Sequence, residues 1–215
     1  MRLNVIIAGA LGVLIGAAAV SVAAPELNLR GDRFRPLKYE ELTPAQKVLA
    51  DRELASPSRS GGGPLNIFLR SPEYAEVSRP LTTYLRFKSP FPEKLKELSI
   101  MLTGRFWGGT YVWWSHRPFA IKAGLSEELI AALAAGERPR NMAADEAVVY
   151  DFCTELLATR KVSDANYKAF VDRFGERAVV DMIGLMGQYH GTSMLFAVER
   201  YPLPPGEKEE IARPM

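Results

Sequence analysis

Apolar residues along this chain return at a helical period. They recur every three or four positions in runs bounded by capping residues, and no run keeps the strict alternation of a half-buried strand. The segment Leu42-Thr43-Pro44-Ala45-Gln46 starts a helix, with Thr43 as N-cap, Pro44 at the first helical position and Gln46 closing a capping box. That helix ends before a Ser/Gly/Pro-rich loop at 56–64. Further helices are predicted near 73–88, 92–107, 110–123, 126–135, 143–160, 164–173 and 176–200. Pro90 and Pro92 open the second of these, Gly124 closes the third, and Ser126 ahead of Glu127 and Glu128 caps the fourth. Gly136 ends that helix and Gly175 separates the last two. The predicted fold is all-α. In the final helix Val179, Val180, Ile183, Met186, Gly187, His190 and Met194 share a helical spacing and are predicted to form its buried stripe. Gly184, Gly187 and Gly191 cost helix propensity, which points to close backbone packing or to room for a ligand.

The first stretch follows a different pattern. Arg2 precedes an uncharged apolar run at 5–20, and Ser21-Val22-Ala23 offers small residues where a signal peptidase reads. Residues 1–24 therefore read as a signal peptide cleaved after Ala23, or else as a membrane anchor, since the run is about long enough to span a bilayer. Either reading exports the protein, periplasmic or secreted. The remaining chain divides into a lead-in, helix and flexible loop (25–63), a helical domain (64–204) and a C-terminal tail (205–215), with 25–39 expected to be extended.

Composition narrows the chemistry. In 215 residues, 47% are hydrophobic and 24% charged, as in a globular domain, and the net charge is only +2. Lys and Arg are interspersed with Asp and Glu, with no basic stripe for nucleic acid. Cys153 is the single cysteine, which excludes an intramolecular disulfide, a CxxC redox couple and a cysteine zinc site within one chain.

The candidate chemistry lies at 97–118, ELSIMLTGRFWGGTYVWWSHRP. Gly109, Val112 and His116 share one helix face, and Pro118 removes a backbone hydrogen bond near His116. A histidine satisfied in an aromatic core is the alternative to a reactive one.

From about Leu37 to Pro204 the chain resembles the carboxymuconolactone decarboxylase and alkylhydroperoxidase (AhpD-like) family. The matching stretches include ELTPAQKVLADRE, YLRFKSPFPEKLKELSIMLTGRFW and YVWWSHRPFAIKAGLSEELIAAL. The resemblance implies a helical fold assembled as a homotrimer or homohexamer. Family peroxidases use a glutamate, a CxxC pair and a histidine, which fall on Glu97, on Gly109 and Val112, and on His116. Glycine and valine supply neither a thiolate nor a resolving thiol, so this chain resembles the family's cysteine-free branch and peroxidase chemistry is disfavoured. That branch usually has Tyr-Glu-Trp where this chain has Tyr111-Val112-Trp113, so a carboxylate expected at Val112 is missing too. His190 stands where the branch commonly has Tyr or Thr.

The resemblance thus implies a cofactor-free lyase of the decarboxylase type, or an isomerase, acting on a small cyclic or aromatic-derived carboxylic acid. His116 is the candidate general acid or base and Glu97 its orienting carboxylate. Arg105 is the candidate carboxylate holder, with Trp107, Trp113 and His190 as further substrate contacts. No cofactor and no metal is expected. The alternative is an exported, non-catalytic protein that binds a small ligand or a partner in the same pocket.

Overall fold

The computed structural model describes residues 24–55 and 64–211. The signal or anchor reading of 1–24 and most of the 56–64 loop therefore lie outside the described residues. Within them all regular structure is helical, with no strand, and no helix is long and apolar enough to cross a membrane. In chain order the helices are α1 (Pro44–Ala55), α2 (Leu65–Phe68), α3 (Pro72–Thr83), α4 (Glu93–Phe106), α5 (Thr110–Lys122), α6 (Glu127–Ala135), α7 (Ala144–Thr159), α8 (Asp164–Phe174) and α9 (Glu176–Glu199). A 3-10 turn at Tyr39–Glu41 precedes α1, and a π turn at Tyr84–Lys88 ends α3.

The caps act as their residue types require. Gln46 Oε1 accepts from the Thr43 N–H at 2.8 Å, and Ser126 Oγ accepts from the Leu129 N–H at 3.1 Å. Gly136 closes α6 in the left-handed region, at φ 81°. α5 runs through Pro118 to Lys122, so the lost backbone donor does not end the helix.

The hub is α4, which packs against α5, α7 and α9. Because neighbours cover it on several sides, every residue from Leu95 to Arg105 is buried, polar ones included. Ser99 and Thr103 bond back to the carbonyls of Lys96 and Ser99, and the Lys96 ammonium donates to the carbonyls of Arg86 and Ser89. Gly104 permits the close approach of α5, since a Cβ there would meet the Val112 side chain at 2.8 Å. One core unites α4 to α9 around Leu98, Met101, Trp113, Phe152, Phe170 and Met182. A second joins the π turn, α4, α5 and α9 through Leu85, Ile100, Tyr111, Leu185 and Phe196. A third, smaller core under the lead-in holds Leu27, Leu42, Leu49 and Leu69.

Two expectations change. The lead-in is extended but docked, because the fully buried Glu199 carboxylate accepts from the backbone N–H groups of Asp32 and Phe34, each at 2.8 Å. The α9 stripe is also corrected. Val180, Ile183 and Met194 face outward, with Val180 72% exposed, while Ala178, Met182, Leu185, Met186, Tyr189, Ser193 and Phe196 are buried. Apolar residues occur on both sides of α9, so periodicity alone picked a face that mixes the two.

Candidate active site

Glu97 sits in the first half of α4 with no solvent exposure. An isolated carboxylate so placed would be costly, and here two groups compensate it. Arg86, from the π turn, donates from Nη2 to Oε1 at 3.1 Å, and Oε2 lies 2.7 Å from His116 Nδ1. His116 comes from α5, which runs back along α4 and brings the imidazole level with Glu97. The ring meets the edge of Tyr189 from α9 at 5.0 Å between centroids and Phe119 at 6.0 Å. The Arg86 guanidinium lies over both Phe87 and Phe119, at 4.8 and 5.5 Å from the ring centroids, so two exposed aromatic rings flank it.

These contacts set the imidazole's chemistry. Burial pushes the His116 pKa below the ordinary histidine value, and it outweighs the hydrogen bond and charge of Glu97, which pull upward. A neutral ring beside a carboxylate places its proton on Nδ1, which donates to Glu97. Nε2 is then a lone-pair acceptor with no partner among the described residues, on a residue that keeps 7% of its surface exposed. Tyr189 is buried, and desolvation drives its hydroxyl well above its ordinary pKa, so it is a neutral phenol. The assembly is an Arg–Glu–His chain built on a buried carboxylate, with one free imidazole nitrogen suited to taking a proton and giving it back.

The other candidate residues lie elsewhere. Trp107 caps the far end of α4, ten residues beyond Glu97 and so about 15 Å along the helix axis. There Trp107 Nε1 donates to His190 Nδ1 at 2.6 Å. The two histidines thus occupy separate places. Tyr189 and His190 are neighbours on α9 but face His116 and Trp107 respectively. Trp113 is 1% exposed in the main core, and its Nε1 donates to Glu210 of the C-terminal tail at 3.1 Å. Arg105 is buried near the end of α4, roughly 12 Å along the axis from Glu97, against Gly136. Its Nε and Nη1 have no partner among the described residues.

Gly109 is the N-cap of α5 and Val112 is sealed between α4 and α5. Cys153 is fully buried on α7 with its Sγ 3.9 Å from Met182 Sδ, and burial pushes the thiol far above its ordinary pKa. Among the described residues no group of three or more His, Cys, Asp or Glu is arranged to hold a metal.

Arg86, Phe87, Phe119 and Tyr189 are the site's residues that the sequence analysis did not select. Tyr189 was legible in principle, since it lies one and two turns from Leu185 and Met182 on the core side of α9. Arg86 had no comparable signal, because its contact with Glu97 crosses the turn between α3 and α4.

Neither a family model nor a curated protein matches the chain by sequence. Among solved structures, the chain is similar to a protein of unknown function from Agrobacterium tumefaciens that is described as a candidate antioxidant defence protein AhpD. The TM-score is 0.59 at 16% sequence identity, over 65% of this chain and 96% of that one. At that identity the likeness speaks to architecture alone: this chain has an all-helical, AhpD-like fold.

Proposed function

We propose that this protein is a cofactor-free acid–base enzyme acting on a small carboxylic acid, with His116 as the proton-transfer group. The observation that carries the reading is the Nδ1 contact of His116 with a fully buried Glu97, which leaves Nε2 free. In the first step Nε2 takes a proton from a carbon made acidic by an adjacent carbonyl or carboxyl group. The imidazolium so formed is stabilised by Glu97, and the resulting enolate accepts the proton back at another carbon. Because burial keeps His116 neutral at rest, the base step comes first. This favours the isomerase arm over decarboxylation, in which His116 must start protonated to deliver a proton once CO₂ has left. Arg86 replaces Arg105 as the carboxylate-facing cation, since it touches Glu97 and keeps part of its surface exposed.

Two further elements belong to the same proposal: the protein works outside the cytoplasm, and it assembles as a homotrimer or homohexamer. The second reading, a non-catalytic small-ligand binder, is favoured by the valine at 112 and the glycine at 109, where family enzymes carry reactive side chains.

The deciding experiment incubates protein starting at Pro25, and its His116→Ala variant, with 4-carboxymuconolactone and a panel of unsaturated cyclic acids. Substrate loss, CO₂ release and uptake of solvent deuterium are followed together. Deuterium incorporation or a double-bond shift that vanishes in the variant, with folding unchanged, supports the isomerase. CO₂ release lost in the variant would move the assignment to the decarboxylase. Turnover in neither protein on any acid leaves ligand binding as the function.

A further inference from the structure

The far end of α4 carries a recess that the proton-transfer chain does not use. It encloses about 380 Å³ between Phe106 and Trp107 at the end of α4, Leu156 and Leu157 near the end of α7, and His190 on α9. Arg160 stands at its rim. The walls are apolar, of the size and character of small-ligand pockets. Two polar groups break that surface, and both can only donate. The first is His190. Its Nδ1 accepts from Trp107 Nε1 at 2.6 Å, so in the neutral ring the proton sits on Nε2. That N–H points away from Trp107 and has no partner among the described residues. The second is Arg160, the left-handed residue that closes α7, at φ 63°. Its guanidinium reaches only the Ala158 carbonyl, at 3.5 Å, and pairs with no acid among the described residues.

An apolar slot with one neutral donor and one unpaired cation selects a ligand with a flat or cyclic body and one negative charge. We propose that this recess binds a small aromatic or cyclic carboxylate, with its ring between Phe106, Trp107 and Leu156 and its carboxylate held by Arg160 and the His190 Nε2–H. The site is separate from Glu97 and His116 and does not depend on their being catalytic. A phosphate or a polyol fits worse, because beyond these two donors the walls are apolar and leave its remaining oxygens without partners.

Trp107 supplies the readout. The purified full chain is titrated near neutral pH with benzoate, with benzamide as the uncharged analogue and acetate as the carboxylate without a ring, while tryptophan emission is followed. Benzoate is expected to change the emission saturably. Benzamide and acetate should each bind about tenfold more weakly, as loss of one charge-assisted contact or of the ring contact requires. Arg160→Gln, an exposed substitution that keeps the backbone, should weaken benzoate by a similar factor, and His116→Ala should leave the titration unchanged. No saturable response to benzoate overturns the proposal. So does equal binding of benzoate and benzamide, which would mean an apolar recess without carboxylate recognition. So does a response lost in His116→Ala but kept in Arg160→Gln, which would place the ligand at the other histidine.

Discussion

Removing the Glu97 carboxylate takes from Arg86 and His116 the group they share. In Glu97→Gln the guanidinium at the π turn loses its one ion-pair partner among the described residues, and the imidazole loses its orienting acceptor. The variant is expected to be destabilised by about 3 kcal/mol, the range for breaking a buried ion pair from one side, measured as the shift of its urea midpoint. A midpoint within experimental error of the parent would mean that the pair contributes no stability. Acidification tests the histidines. Burial depresses both His116 and His190 below the ordinary histidine value of 6.5, and these are the chain's two histidines. Above that value both are neutral, folded or unfolded, and stability does not change through them. As pH falls below it, the unfolded chain takes up protons that the folded chain resists, and stability is lost until the folded-state pKa values are passed. The urea midpoint should therefore be lower at about pH 5.5 than at about pH 7.5. The family resemblance pairs Glu97 with His116, and the packing of α5 on α4 brings the two within 2.7 Å. Lys94 and Lys96 give this stretch the look of a solvated helix face, yet α4 is covered on several sides and the Glu97 carboxylate is fully buried. Arg105 could not be placed, since a modest rotation of α4 decides whether it faces α5 or α6.

At the scale of elements, capping chemistry was the most legible signal. Thr43, Gln46, Ser126, Gly136 and Gly175 all stand at the helix ends where their side chains or backbone freedom are needed. The short α2 and the π turn escaped notice. One has too few residues to show a period, and the other keeps the helical spacing while widening the turn. The docked lead-in was hidden for another reason: its hydrogen bonds go to Glu199 and Asn66, far away in sequence. Gly31 lies where this segment crosses them. A Cβ there would meet the Glu199 carboxylate, the Asn66 amide and the Phe34 carbonyl together. Gly31→Ala is therefore expected to cost about 2 kcal/mol, as overpacking does, against about 1 kcal/mol for Ser126→Ala, which removes one N-cap acceptor. Urea midpoints for the pair test the ranking. A Gly31→Ala variant as stable as the parent would mean that the lead-in yields without cost to the fold.

On the whole molecule, the misread stripe of α9 becomes informative. Val180, Ile183, Met194 and Val198 are exposed along the outer side of this helix, and a Cβ added at Gly187 or Gly191 would meet nothing within 4 Å. Gly184 differs, because its hydrogen faces Leu85 and its smallness serves packing within the fold. Tyr74, Val77 and Leu81 form a second exposed apolar row on α3, a helix that leads into the π turn packed on α9. Water contact with this much apolar side chain is unfavourable, and large exposed apolar patches commonly mark association sites. The glycines leave the outer face of α9 low enough for another helix to approach. If the homo-oligomer uses this face, size-exclusion chromatography with light scattering should give a trimeric or hexameric mass. Val180→Glu together with Ile183→Glu should then shift it towards the monomer. Neither substitution touches the core, so the monomer's helical content should be unchanged, and single surface changes of this kind cost no more than about 0.5 kcal/mol. A monomeric parent would remove the oligomer from the proposal altogether. An oligomer indifferent to both glutamates would move the interface to α3 and the Phe87–Phe119 rim. His116, whose ring packs against Phe119, would then lie beside the subunit boundary, and any turnover would depend on protein concentration.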